Sequence, residues 1–214
     1  MFELNKIHNV DARVLLGAME SGSVDLILTD PPYGLNKAEW DGSFPTHWIE
    51  DALRVGKRLL VMTGNSELIR AGAAFGDTYR DLIVLHSRNG MTRSKIAFGN
   101  FIPVLAFGTW DWKARPNYIP FNTETSEAIE HASPKPIEAM KRLLHYYAEP
   151  GWIIVDPFIG SGTTAIASEL LGYQWVGSEI DETTCQRANE RIERWRAQGV
   201  LDFDQTTIKK ANCA

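Results

Sequence analysis

The chain has 214 residues, of which 44% are hydrophobic and 23% charged, a composition that fits one sizeable globular domain rather than two. Its net charge of −5 argues against a protein that coats nucleic acid by bulk attraction, while leaving room for a local basic surface. No apolar run approaches the roughly 18 residues of a membrane span. The stretch Met1-Phe2-Glu3-Leu4-Asn5-Lys6 lacks the regions of a signal peptide, and Cys185 and Cys213 form no spacing motif, so a reducing cytoplasm and no membrane are expected.

Strand and helix patterns alternate in chain order. Lys6–Val10 reads as a short strand, Ala12–Met19 as a helix and Val24–Thr29 as a buried strand. After a loop with Gly34, Gly42 and Pro45, Thr46–Val55 puts Trp48, Ile49, Ala52 and Leu53 on one helical face. Arg58–Thr63 is a strand and Ser66–Phe75 a helix. Tyr79–His86 and Phe101–Phe107 are strands joined by the basic loop Ser87–Lys95. Trp110–His131 is polar and irregular, and is the one candidate insertion. Pro136–Tyr147 carries Ile137, Met140, Leu143, Leu144 and Tyr147 at helical spacing. Trp152–Val155, Thr163–Leu171, Tyr173–Gly177 and Thr183–Ala197 then read as strand, helix, strand and helix. Strands separated by helices predict a single-domain α/β fold with a mainly parallel, doubly wound sheet. Residues 1–200 form the domain and 201–214 a tail without pattern.

Two stretches carry the chemistry. Leu26-Ile27-Leu28-Thr29-Asp30-Pro31-Pro32-Tyr33 ends a core strand on a carboxylate, with two prolines stiffening the chain before an aromatic ring. Taken alone it also fits a plain strand-ending turn with a packed tyrosine. The second stretch, Asp156-Pro157-Phe158-Ile159-Gly160-Ser161-Gly162-Thr163-Thr164-Ala165, follows a strand and opens a helix. It fits the loose G-x-G-x-x-A pattern, in which glycines let the backbone approach a ligand. It is not a P-loop, because no Lys precedes Thr163. The next strand ends at Glu179, close to the offset of about 20 residues at which an acidic group takes ribose hydroxyls. Together these features point to a nucleoside-containing cofactor, and the pattern leaves nicotinamide dinucleotide and S-adenosylmethionine both open. The glycine turn lies late in the chain. The Glu179 strand therefore needs a neighbour, which Lys6–Val10 can supply, bringing Asn9-Val10-Asp11 beside Glu179 as in a circular permutation.

The ordered set of motifs resembles the β-class DNA amino-methyltransferases, in which the catalytic motif precedes the S-adenosylmethionine motif. The resemblance rests on Asp30-Pro31-Pro32-Tyr33 followed by Asp156–Thr164, on Asn9-Val10-Asp11 ahead of Ser23–Asp30, and on Leu60–Asn65. It extends to His131-Ala132-Ser133-Pro134-Lys135-Pro136, where Ala132 departs from the usual proline, and to Gly177-Ser178-Glu179-Ile180-Asp181, and so covers nearly all of residues 1–197. It implies a Rossmann-like methyltransferase fold with circularly permuted motif order. It also implies S-adenosyl-L-methionine as cofactor and DNA as partner. Phe158, Gly160, Ser161, Gly162, Thr163 and Thr164 would line the cofactor, with Asp156 and Asp30 close by. Glu179 would hold the ribose with Ile180 beside it, and Asp11 would lie near the adenosine. Lys135, with His131 and Ser133, would approach the methionine end.

The same resemblance gives Asp30-Pro31-Pro32-Tyr33 a task. An exocyclic amine is a poor nucleophile because its lone pair is delocalised into the base. The Asp30 carboxylate and the Pro31 carbonyl, stiffened by Pro32, can accept its two N–H bonds while Tyr33 stacks on a flipped base. No Pro-Cys pair offers the nucleophile of carbon-5 cytosine methylation, and His8, His47, His86, His131 and His145 show no metal-ligand spacing, so no metal is expected. Asp at position 30 leans toward adenine N6 in this family and Ser toward cytosine N4, while Asn would have suggested protein or ribosomal RNA substrates. Residues 110–131 stand where target recognition is expected, with Trp110, Trp112, Lys113, Arg115 and Tyr118 as candidates and a packed connection as the alternative. So short a segment suggests a short or relaxed recognition sequence, a homodimer partner, or single-stranded DNA in place of duplex. Arg88, Arg93 and Lys95 are candidates for phosphate contact. The competing readings are a cytosine-N4 or RNA enzyme with the same chemistry, a nicotinamide-dependent oxidoreductase, and a non-catalytic cofactor-binding or interaction module.

Overall fold

The structure, a computed structural model, describes residues 2–32, 46–90, 92–93, 98–123 and 135–197. The elements in order are β1 (Lys6–His8), α1 (Ala12–Gly17), β2 (Leu26–Thr29), α2 (Ile49–Val55), β3 (Arg58–Met62), α3 (Leu68–Ala74) and β4 (Tyr79–Ser87). Then follow β5 (Thr92–Arg93), β6 (Phe98–Gly99), β7 (Phe101–Gly108), β8 (Tyr118–Phe121), α4 (Ile137–Tyr147), β9 (Ile153–Asp156), α5 (Thr163–Leu170), β10 (Gln174–Ser178) and α6 (Glu182–Ala197). Boundaries fall within a few residues of the sequence expectation. The largest shift is at α2, which begins at Ile49 where Thr46 was expected.

One eight-stranded sheet has the order β1-β10-β9-β2-β3-β7-β4-β8. The five strands from β1 to β3 are mutually parallel. β7 runs antiparallel to both β3 and β4, and β8 runs parallel to β4. The sheet is thus mainly parallel with one reversed strand, β7.

Both faces are covered. Side chains alternate along each central strand: Leu26, Leu28, Leu60 and Met62 join one core with α4, α5 and α6. Ile27, Leu59 and Val61 join the other with α1, α2 and α3. All four residues of β2 are buried, the pattern of a central parallel strand. No helix among the described residues is long and apolar enough to cross a membrane.

The expected irregular stretch 110–131 is corrected in part. Residues 118–121 form β8, the edge strand, with Ile119 and Phe121 buried and Tyr118 exposed. Pro120 cannot donate to a ladder and suits an edge position. The N-terminal strand does take the predicted place, since Lys6, Ile7 and His8 pair with Val176, Gly177 and Ser178.

Candidate active site at the carboxyl edge of the sheet

From β2 the chain winds outward through β3, and from β9 it winds the other way to β10, with the N-terminal β1 completing that edge. The switch point therefore lies between β2 and β9, where the crevice of an open α/β sheet forms beyond the strand ends. Asp30 follows the last residue of β2, and Asp156 is the last residue of β9. The sequence folds this way because apolar runs make the strands and Pro31 and Pro157 cannot extend their ladders.

Asp156 is buried. Its Oδ1 accepts from Thr29 Oγ1 at 2.6 Å and from the Phe158 amide at 3.1 Å, and its Oδ2 accepts from Thr164 Oγ1 at 2.6 Å. Burial pushes the Asp156 carboxyl up to about 6, against the lowering effect of those hydrogen bonds. Asp30 is differently placed. Lys135, just ahead of α4, donates to Asp30 Oδ2. Asp30 Oδ1 is buried and accepts no hydrogen bond from any described residue. One carboxylate oxygen is thus held and the other is buried without a donor among the described residues.

The glycine turn needs its glycines. Gly160 lies at φ 51° and Gly162 at φ 80°, a region that side chains with a Cβ avoid. Arg191 on α6 braces the turn from below. Though charged, it is buried, and its Nη1 donates to the Ser161 carbonyl at 2.9 Å and to Thr163 Oγ1 at 3.1 Å. Gly177 on β10 lets Ile159 pack close, since an added Cβ would meet Ile159 Cδ1 at 2.3 Å. Phe158 is half-buried, its ring edge-on to Trp48 at 5.3 Å. Glu179 follows β10. Burial raises its carboxyl pKa, while the Asp181 amide at 2.9 Å and the backbone of Gly160 and Ile180 oppose that rise. Asn9 clamps the same strand end, its Nδ2 donating to the carbonyls of Glu179 at 2.9 Å and Ile180 at 3.1 Å.

The structure brings together Asp30, Pro31, Pro32, Lys135, Asp156 and the turn 158–164, with Glu179 and Ile180 at the end of the adjoining strand. The Thr163 and Thr164 hydroxyls are engaged within the protein. Asp11 caps α1, accepting from the Arg13 amide at 2.8 Å and pairing with its guanidinium at 2.9 Å, which lowers its pKa. Tyr33, His131, Ser133 and Lys95 lie outside the described residues, and Arg93 is placed only as part of β5. Arg88 follows β4 on the same edge as Asp30, exposed and without an ion-pair partner among the described residues.

Lys113 and Arg115 are not brought to the site. Gly108 pairs with Arg58, the first residue of β3, so the chain leaves β7 at the amino edge, opposite Asp30. There Lys113 pairs with Glu149 and Arg115 lies 3.7 Å from the same carboxylate. Trp110 packs against Tyr147, while Trp112 is 91% exposed. Among the described residues no group of three or more His, Cys, Asp and Glu side chains could hold a metal ion.

Arg191 escaped the sequence reading because α6 is strongly polar. A signal was nevertheless present: Arg191 stands three residues beyond Ala188 and one before Ile192, on the stripe that α6 buries with Cys185.

A family model described as DNA methylase matches residues 89–190. Among curated proteins, the Type II methyltransferase M1.MboII of Moraxella bovis is 25% identical over 88% of this chain and 96% of its own length. Among solved structures, the M1.HpyAVI–SAM complex is 22% identical with a TM-score of 0.67, covering 87% of this chain and 98% of that one. The cytosine-N4-specific PvuII DNA methyltransferase has the same TM-score at 16% identity, covering 92% and 94%.

Proposed function

We propose that this chain, a DNA amino-methyltransferase of the N6/N4 class on the family match and its curated relatives, uses S-adenosyl-L-methionine to methylate the N6 amine of an adenine flipped out of DNA. The observation that carries the reading is Asp30: its Oδ1 is buried without a donor while Lys135 holds Oδ2. A buried acceptor without a donor is costly, and an exocyclic N–H supplies the missing one. The Pro31 carbonyl takes the second N–H, which favours a pyramidal nitrogen with its lone pair free. Lys135 keeps the carboxylate in place and its charge balanced.

The cofactor fits the residues present. The partly buried Glu179 offers a carboxylate for a ribose diol, and Ile180, 68% exposed, offers an apolar surface beside it. The positive-φ glycines let the backbone come close to a ligand. Bound S-adenosyl-L-methionine supplies an electrophilic methyl on a sulfonium. The chain itself orients the amine, excludes water and stabilises the partial charge that develops on nitrogen. Arg88, exposed on the same edge, is a candidate for a phosphate contact.

Cytosine N4 is the second reading, favoured by the likeness to the PvuII fold and served by the same two acceptors. Asp at position 30 is the reason to place adenine first. The test is an Asp30→Ala variant. It should bind S-adenosyl-L-methionine as the wild type does in calorimetry, yet lose methyl transfer by at least about 100-fold, the scale of removing one transition-state contact. Wild-type turnover in this variant would remove Asp30 from the mechanism.

A further inference from the structure

We propose that Thr29 is a positioning residue: by donating to Asp156, it holds Asp30 at a fixed offset from the cofactor turn. The inference rests on the reading of Asp30 given above and adds a residue to it.

The backbone cannot supply this offset. β2 and β9 are laddered only through Leu26 with Ile154 and Ile27 with Val155. Continued in register, Leu28 would face Asp156 and Thr29 would face Pro157, which has no N–H to give. The two strands therefore part at the switch point, two residues before Asp30. On its other side β2 stays paired with β3 as far as Thr29 and Val61. Across the gap the tie is made by side chains, through Thr29 Oγ1 to Asp156 Oδ1 at 2.6 Å. The same carboxylate holds the start of the turn through the Phe158 amide and the first turn of α5 through Thr164. Asp156 is thus the point at which the catalytic strand, the turn and the cofactor helix are joined.

The choice of residues supports a role in position rather than in packing. The other three residues of β2 are Leu, Ile and Leu, and Thr29 is as fully buried as they are. A valine there would fill the same volume without a hydroxyl to satisfy, and an apolar partner at 156 would avoid burying a carboxylate. What the polar pair adds is direction. A hydrogen bond with both ends buried fixes distance and angle, and transfer between two bound groups depends on both. A misplacement of 1 Å can cost on the order of 100-fold in rate.

The test separates rate from affinity. Single-turnover methyl transfer on pre-bound DNA and the Kd for S-adenosyl-L-methionine are measured for wild type, Thr29→Val and Thr29→Ser. Thr29→Val should lose at least about tenfold in the transfer rate with cofactor Kd almost unchanged, because Thr164, Phe158 and Arg191 still hold the turn. Thr29→Ser keeps the hydroxyl and should stay close to wild type. If Thr29→Val does not fold, Thr29→Ala against Thr29→Ser makes the same comparison, since both lack the γ-methyl and differ in the hydroxyl. A hydroxyl-free variant with the wild-type rate would overturn the proposal. So would a Ser variant that falls as far as Val or Ala, or a loss carried by cofactor affinity alone. The wild-type reaction is the separate control: no transfer there would sink the functional reading and not the tie.

Discussion

Replacing Asp156 by asparagine isolates what a buried carboxylate does to this fold. In the unfolded chain the group ionises near its ordinary 3.8, and in the folded protein burial moves it up to about 6. Between those values the folded state holds more protons than the unfolded state, so the stability of the wild type falls with rising pH relative to a neutral isostere. Below about pH 4 both states are protonated and the difference between wild type and Asp156→Asn is constant. It shifts through the window from about 4 to 6 and is constant again above it. The gap of about 2 pH units corresponds to about 3 kcal/mol at about 1.4 kcal/mol per unit. Urea unfolding of both proteins across this range measures the difference directly, and groups that titrate alike in the two proteins cancel. The reasoning predicts that wild type loses about 3 kcal/mol relative to the variant between acid and neutral pH. A difference that is flat across the window, or that changes in favour of wild type as pH rises, would refute the account of Asp156 as a carboxyl penalised by burial.

Three further substitutions probe the surroundings. Gly177→Ala forces a Cβ to within 2.3 Å of Ile159, so unfolding should show a loss of about 1–3 kcal/mol from overpacking, with weaker cofactor binding because Ile159 belongs to the turn. Arg191→Met leaves the Ser161 carbonyl without that donor. Cofactor affinity measured by calorimetry should fall about tenfold, in line with about 1–3 kcal/mol for an unmet buried group. Glu179→Gln removes a charge-assisted acceptor, and the Kd for S-adenosyl-L-methionine should rise by about tenfold or more. An unchanged Kd in that variant would dissociate Glu179 from the ribose.

Local pattern explains what could be read in advance. Leu26–Asp30 and the glycine turn announced themselves because a buried strand ending on a carboxylate, and glycines between strand and helix, are features of neighbouring residues. The pairing of Lys6–His8 with β10 followed from topology, since the Glu179 strand had no other neighbour to take. What stayed hidden depends on residues far apart in sequence. The pairing of Lys113 with Glu149, 36 positions away, turns an apparently free basic residue into a structural one at the wrong edge of the sheet. β8 was hidden by the polar residues on either side of Tyr-Ile-Pro-Phe and by a proline that only an edge strand accepts. Thr29 stood in the most closely read stretch of the chain. Its task became visible only when Asp156, 127 positions later, was seen opposite it.

The central claim is methyl transfer to the N6 amine of adenine. Its most direct test is incubation of the protein with unmethylated DNA and S-adenosyl-L-methionine, followed by digestion to nucleosides and mass spectrometry. The account predicts N6-methyl-2′-deoxyadenosine, absent when Asp30→Ala replaces the wild type. N4-methyl-2′-deoxycytidine in its place would contradict the reading of the base, and no methylated nucleoside despite measured cofactor binding would contradict the reading of the reaction.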